Sequence, residues 1–171
     1  MADTKNKNYG ILIIGAIIII AAIFYFTQQK SSIIGKKQDI KVGVILGFTG
    51  PIESLTPAMA ASAELAFKEA SDSGSLLGGS VINTERADST CVDSAAATTA
   101  AEGLISGGVN AIMGADCSGV TGAIATNAAV PNGVVMISPS ATSPGLTDLN
   151  DNGFFFTFPP KSILYKKLKS K

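Results

Sequence analysis

Residues 134–148 read VVMISPSATSPGLTD, an apolar run from Val134 to Ile137 that empties into the hydroxyl-rich turn Ser138, Pro139, Ser140, Ala141, Thr142, Ser143, Pro144. A short run without polar alternation is what a strand buried on both faces of a parallel sheet requires. Small residues at its end leave backbone groups and hydroxyls at the carboxyl edge of the strand, where open α/β sheets hold their ligands. The stretch therefore indicates an α/β fold and marks the first place to look for a site.

Upstream the same pattern recurs. Ile40 to Leu46 reads as a buried strand, and Gly47 to Thr56 as a loop with the turn pair Gly50 and Pro51. Pro57 suits the first turn of a helix that runs through Ala60, Ala63, Leu65 and Phe67 until Ser71, Asp72, Ser73 and Gly74 stop it. Leu76 to Gly79 turns the chain, and Val81 to Ala87 alternates as a strand, closing a βαβ unit. Asp93 to Ile105 and Ser118 to Ala129 read as helices, Ala111 to Met113 as a strand, and Phe154 to Thr157 as one more. Strands alternating with helices of this length predict a doubly wound parallel sheet covered on both faces.

Composition removes most catalytic readings. The 171 residues include no histidine, so neither a Ser/His/Asp triad nor a His-ligated zinc site can be assembled from this chain. No G-x-G-x-x-G fingerprint opens the helix at Pro57, which disfavours a nucleotide-dependent enzyme. We assign no catalytic residue, no metal and no cofactor. Lys68 and Arg86 are the only bases between Lys41 and Lys161, and the remaining bases gather at the two ends of the chain. That leaves no basic face for nucleic acid.

The uncharged run from Asn8 to Gln29 supplies the ~20 apolar residues a bilayer-spanning helix needs. It is longer than the apolar region of a secretory signal and ends in Phe24, Tyr25 and Phe26 without a small-x-small cleavage site. The sequence thus divides into a short tail (1–8), a transmembrane anchor or signal segment (9–28), a polar linker (29–38), a folded lobe (39–160) and a basic C-terminal tail (161–171). An uncleaved anchor is expected, with export to the periplasm as the alternative.

From Ile40 to Pro160 the chain resembles the first lobe of the leucine/isoleucine/valine-binding family, the type 1 periplasmic substrate-binding proteins of branched-chain amino-acid ABC transporters. The resemblance rests on Ile40 to Leu46 followed by Thr49, Gly50 and Pro51; on Ala63, Glu64, Leu65 and Ala66; on Gly114 with Cys117, Ser118 and Gly119; and above all on Ile137 to Thr142 followed by Pro144, Leu146 and Thr147. It implies binding without catalysis: a small-molecule ligand, an amino acid or related carboxylate or amide, delivered to a transporter permease by a lobe facing the periplasm or exterior.

The same resemblance implies a ligand set. Ser118, at the start of a helix, inherits contact with the α-carboxylate; the alternative is a plain helix-capping serine. Ser140, Ala141 and Thr142 inherit a main-chain carbonyl for the α-ammonium and a hydroxyl and amide for the carboxylate; alternatively their hydroxyls satisfy the turn itself. The loop after Pro51 lacks the aromatic residue common in the family, leaving Leu55 as the apolar contact. Cys91 and Cys117, at the ends of strands expected to be neighbours, are implied to form a disulfide, the alternative being two small buried thiols. Family members continue into a second lobe, whereas this chain stops after the first, so a truncated, one-walled crevice with weak binding is expected. The competing readings are a degenerate or self-associating lobe that binds nothing, and an anchored sensor domain.

Overall fold

The computed structural model describes residues 15–25 and 37–156, and the chain falls into two units, 1–37 and 38–171. In the first unit residues 15–25 form a helix whose apolar side chains, from Ile17 to Tyr25, are exposed all round. No helix among the described residues is long and apolar enough to cross a membrane. The rest of the expected anchor, most of the linker and the basic tail lie outside the described residues.

The second unit is built on five parallel strands: β1 (Ile40–Leu46), β2 (Ile82–Asp88), β3 (Ala111–Gly114), β4 (Val135–Ile137) and β5 (Phe155–Phe156). Their order is β2-β1-β3-β4-β5, so the direction of winding reverses between β1 and β3. A reversal of this kind opens a crevice at the carboxyl ends of the two strands. The helices are α1 (Thr56–Asp72), α2 (Ser94–Ser106) and α3 (Ser118–Ile124).

Side-chain alternation sorts the core into two layers. Ile45, Ile112, Met136 and Phe155 point to one side and pack with Ala97, Ala101, Leu104, Val120 and Ile124 of α2 and α3. Val44 and Leu46 point to the other and pack with Ala60 of α1, flanked by Phe48, Met59, Phe67 and Met113. α1 carries a proline in its first turn, where the missing N–H costs nothing. α2 is capped by Asp93, whose carboxyl accepts from the amides of Ala95 and Ala96 at 2.9 and 3.0 Å.

The segment expected as one helix from Ser118 to Ala129 is α-helical only to Ile124 and then takes a π turn over Ala125–Ala129. The reason lies in its buried positions, Val120, Thr121, Ile124, Ala125, Ala128 and Ala129, which recur strictly every four residues. A four-residue repeat drifts about 40° per turn on a 3.6-residue helix. The wider π turn reverses that drift and keeps all six side chains on the core. A 3₁₀ turn over Pro144–Asp148 follows β4 and buries Leu146.

Outside the core, Arg86 of β2 clamps Glu64 of α1 through two parallel hydrogen bonds of 2.6 and 2.7 Å, and its guanidinium lies 5.5 Å from the centre of the Phe48 ring. The Arg86 hydrogen bond holds the Glu64 carboxyl below its ordinary range against a smaller opposing effect of burial. The pair is partly solvated and contributes about 1 kcal/mol or less.

One glycine is irreplaceable. Gly114 closes β3 with φ of 136°, and a Cβ there would lie 1.9 Å from the carbonyl oxygen of Ile45 on the neighbouring strand. Gly114→Ala should destabilise the lobe by about 3 kcal/mol or more, since both the backbone angle and the β1–β3 contact must give. Urea unfolding followed by circular dichroism would measure it, with the exposed, negative-φ Gly103→Ala as a neutral or stabilising comparison.

Candidate ligand site

The carboxyl ends of β1, β2 and β3 meet at Asp116, which is 5% exposed. Its carboxyl accepts from the amide of Gly47, directly after β1, and from the amide of Cys117, both at 2.9 Å; the hydroxyl of Ser89, directly after β2, approaches at 3.4 Å. The Ser89 amide in turn donates to the Leu46 carbonyl at 2.9 Å. One buried side chain thus sets where three strand ends stop. Sequence reading missed it; the available signal was an acid placed directly between a strand end and Cys117.

Cys91 and Cys117 form a disulfide, with Cα atoms 5.2 Å apart. The expectation of neighbouring strands is corrected, because β1 lies between β2 and β3. The bridge instead spans the mouth of β1, and a Cβ on Gly47 would meet the Cys91 Cβ at 3.2 Å. Cys117 also does not end a strand: β3 stops at Gly114, and Cys117 is the residue that precedes the first turn of α3. The two cysteines can meet because β1 is followed by a residue with no side chain.

Ser118 is the first helical residue of α3, not its cap. Its Oγ accepts from the amides of Thr142 and Ser143, each at 3.2 Å, and so ties the loop after β4 to the start of α3. The loop's own hydroxyls turn inward. Ser138 Oγ donates to the Ala115 carbonyl and accepts from the Ala141 amide, and Ser140 Oγ donates to the Asp116 carbonyl at 3.0 Å. Ala141 is fully buried, whereas Thr142 is exposed at the crevice rim. Ser118, Ser140, Ala141 and Thr142 are therefore brought together around Asp116. Leu55 stands apart at the start of α1, 60% exposed.

The opposite rim is the loop after β1. The Thr49 hydroxyl donates to Asp88 at 2.5 Å, and the Thr90 and Thr49 amides donate to the same carboxyl at 2.8 and 3.3 Å. Burial raises the Asp88 pKa, but these hydrogen bonds outweigh it and hold the group below its usual value. Gly50, at φ of 95°, lets the loop pass within reach of the Thr90 carbonyl. A separate depression of about 190 Å³ between Thr126, Val130 and the loop Asp148 to Asp151 lies at the other end of α3, away from the crevice.

These features define a class: an open α/β lobe with a crevice at the switch point of its parallel sheet, strapped by a disulfide. A family model described as periplasmic binding protein matches residues 39–166, and the chain belongs to that family. The Leu/Ile/Val-binding protein BraC3 of Rhizobium johnstonii is 31% identical over 109 residues, 64% of this chain and 29% of that protein. The branched-chain amino-acid transporter substrate-binding protein LivJ of Streptococcus pneumoniae, solved with isoleucine, is 30% identical with a TM-score of 0.63 over 70% of this chain and 33% of its own. An ABC transporter substrate-binding protein of Desulfitobacterium hafniense, solved with Leu, is 26% identical with a TM-score of 0.63 over 77% and 37%. The chain spans about a third of the length of these relatives. They are substrate-binding proteins, not enzymes.

Two outcomes follow from the strand-end cluster. Reducing the disulfide, which closes a span of 26 residues, should cost about 3 to 4 kcal/mol and lower the melting temperature by roughly 10 °C, measured by calorimetry with and without a phosphine reductant. In acid, Asp88 and Glu64 both bind protons less readily folded than unfolded. Their contribution is complete above the unfolded values of about 4 and is lost as pH falls through the lower folded values. The urea midpoint should accordingly decline below about pH 4, and Asp88→Asn should make that decline shallower.

Proposed function

We propose that the lobe is one wall of an amino-acid cleft and that the chain acts as the extracytoplasmic substrate-binding component of an ABC-type transporter. The observation that supports this most is the convergence of two consecutive amides, Thr142 and Ser143, on the single oxygen of Ser118. Successive amides aimed at one point make an anion-binding concavity. At 3.2 Å both bonds are at the long end of the range, so a carboxylate oxygen, a charged and stronger acceptor, competes well for the same amides. The Ser118 hydroxyl then donates to it instead. The relatives solved with isoleucine and Leu carry ligands of this chemistry.

On this reading Thr142 adds its hydroxyl to the carboxylate, a carbonyl of the Ser140–Ala141 turn takes the α-ammonium, and Leu55 offers an apolar contact to the ligand side chain. The disulfide suits an oxidising compartment, which sets the lobe outside the cytoplasm. Residues 9–28 anchor it there, because a helix apolar on every side, as residues 15–25 are, is stable in an apolar surround. A permease is the partner that such a component serves.

Titration of the chain with leucine, valine and leucinamide, followed by nuclear magnetic resonance, tests the site. Leucine and valine should bind with a dissociation constant of about 1 mM, near −4 kcal/mol, and leucinamide should not compete. Ser118→Ala and Thr142→Ala should each weaken binding roughly 10- to 150-fold, the loss of one hydrogen bond to a charged group. Equal shifts with acid and amide, unmoved by either substitution, would instead identify a degenerate lobe. For the anchor, alkaline carbonate extraction should leave the protein in the membrane pellet; a soluble chain beginning after residue 28 would assign the segment as a cleaved signal.

A further inference from the structure

Gly47 is held at both ends by side chains from other parts of the lobe. It is buried directly after β1, where its amide donates to the Asp116 carboxyl at 2.9 Å and its carbonyl accepts from the Thr56 hydroxyl at 3.0 Å. Thr56, the first residue of α1, is fully buried, and its hydroxyl also approaches the Glu53 carbonyl at 3.4 Å. The loop after β1 therefore hangs from Asp116 and closes on itself at Thr56, the residue after Leu55. On its far side the Asp116 carbonyl accepts from Ser140 Oγ at 3.0 Å, in the turn that carries the Thr142 and Ser143 amides. A chain of hydrogen bonds thus runs from Thr56 through Gly47 and Asp116 to Ser140, and the fully buried Ser89 approaches its middle.

We propose that Thr56 and Asp116 are positioning residues of the crevice: through this chain they fix the span between the apolar contact at Leu55 and the amides of Thr142 and Ser143, and so select amino acids by side-chain length. The inference rests on the amino-acid cleft proposed above. A ligand whose carboxylate is gripped at one end reaches Leu55 only if its side chain matches that span. Neither positioning residue has to touch the ligand. A carboxyl accepts on both oxygens, and Asp116 uses Oδ2 for the Gly47 amide and Oδ1 for the Cys117 amide. An asparagine would set its NH2 group against one of these two N–H groups. At Thr56 a valine would keep the shape and leave the Gly47 carbonyl without its hydroxyl donor, a loss that burial prevents water from making good in place. The loop between Gly47 and Thr56 then shifts, and Leu55 with it.

Paired titrations of the full chain, in detergent micelles, with leucine and with alanine test the positioning by nuclear magnetic resonance. In the wild type leucine should bind roughly tenfold more tightly than alanine, the gain from half-burying the larger side chain. Thr56→Val should bring the two affinities to near equality by weakening leucine alone, and Thr56→Ser, which keeps the hydroxyl, should retain the preference. Ile105→Val, against the core on α2, is the comparison for lost stability: it should lower the urea midpoint and leave the preference intact. With no ligand present, Asp116→Asn should displace the amide resonances of both Gly47 and Thr142. A preference retained in Thr56→Val, or a Thr142 resonance unmoved in Asp116→Asn, overturns the positioning and leaves the cleft standing. A wild type that binds neither amino acid overturns the cleft and the selectivity with it.

Discussion

Three strand ends stop at one carboxyl group. Asp116 collects the amides that leave β1 and β3, approaches the hydroxyl that leaves β2, and lies beside a disulfide that crosses over β1. Burying such a group is costly unless its acceptors are used, and here both oxygens accept. The crevice inherits its shape from this arrangement. Ser118 follows Asp116 by two residues, and the loop after β4 is fastened to the Asp116 carbonyl through Ser140. Moving the carboxyl moves both rims.

The division of labour in the loop after β4 has a clear physical logic. Its hydroxyls are directed downward, Ser138 to Ala115 and Ser140 to Asp116, which fixes the backbone without reference to any ligand. Rigidly held backbone then turns the Thr142 and Ser143 amides to a common point. Preorganised main-chain donors bind charge with little loss of conformational freedom, unlike long side chains that must be ordered first. The small, polar composition of the turn is thus both structural and suited to recognition, and the two readings offered by the sequence are compatible.

Much of this was legible in the residues. The βα alternation is written in short apolar runs and alanine-rich stretches, and every expected strand and helix of the lobe has a counterpart within a few residues. What sequence could not order was the sheet. Chain order puts β2 directly before β3, while β1 in fact lies between them, so the cysteine pair was expected at neighbouring strands and instead joins the segments that follow two strands with a third between them. Asp116 was overlooked because an acid beside a turn ordinarily faces water; only the folded geometry shows three donors converging on it. Ser118 was read as a cap or a ligand contact, and its role in holding the loop after β4 required a contact 24 residues away.

The π turn over Ala125–Ala129 carries a consequence for how this lobe varies in length. Within it the Val130 amide reaches back five residues to Ala125, so the segment holds one residue more than an α-helix of the same rise would. Loss of a single residue there lets the helix revert to the α form without displacing the turn that starts β4. Insertions and deletions in the loops after β1 and β4 move the rims of the crevice. This buried stretch, by contrast, is a place where the chain can change its count by one and keep its architecture.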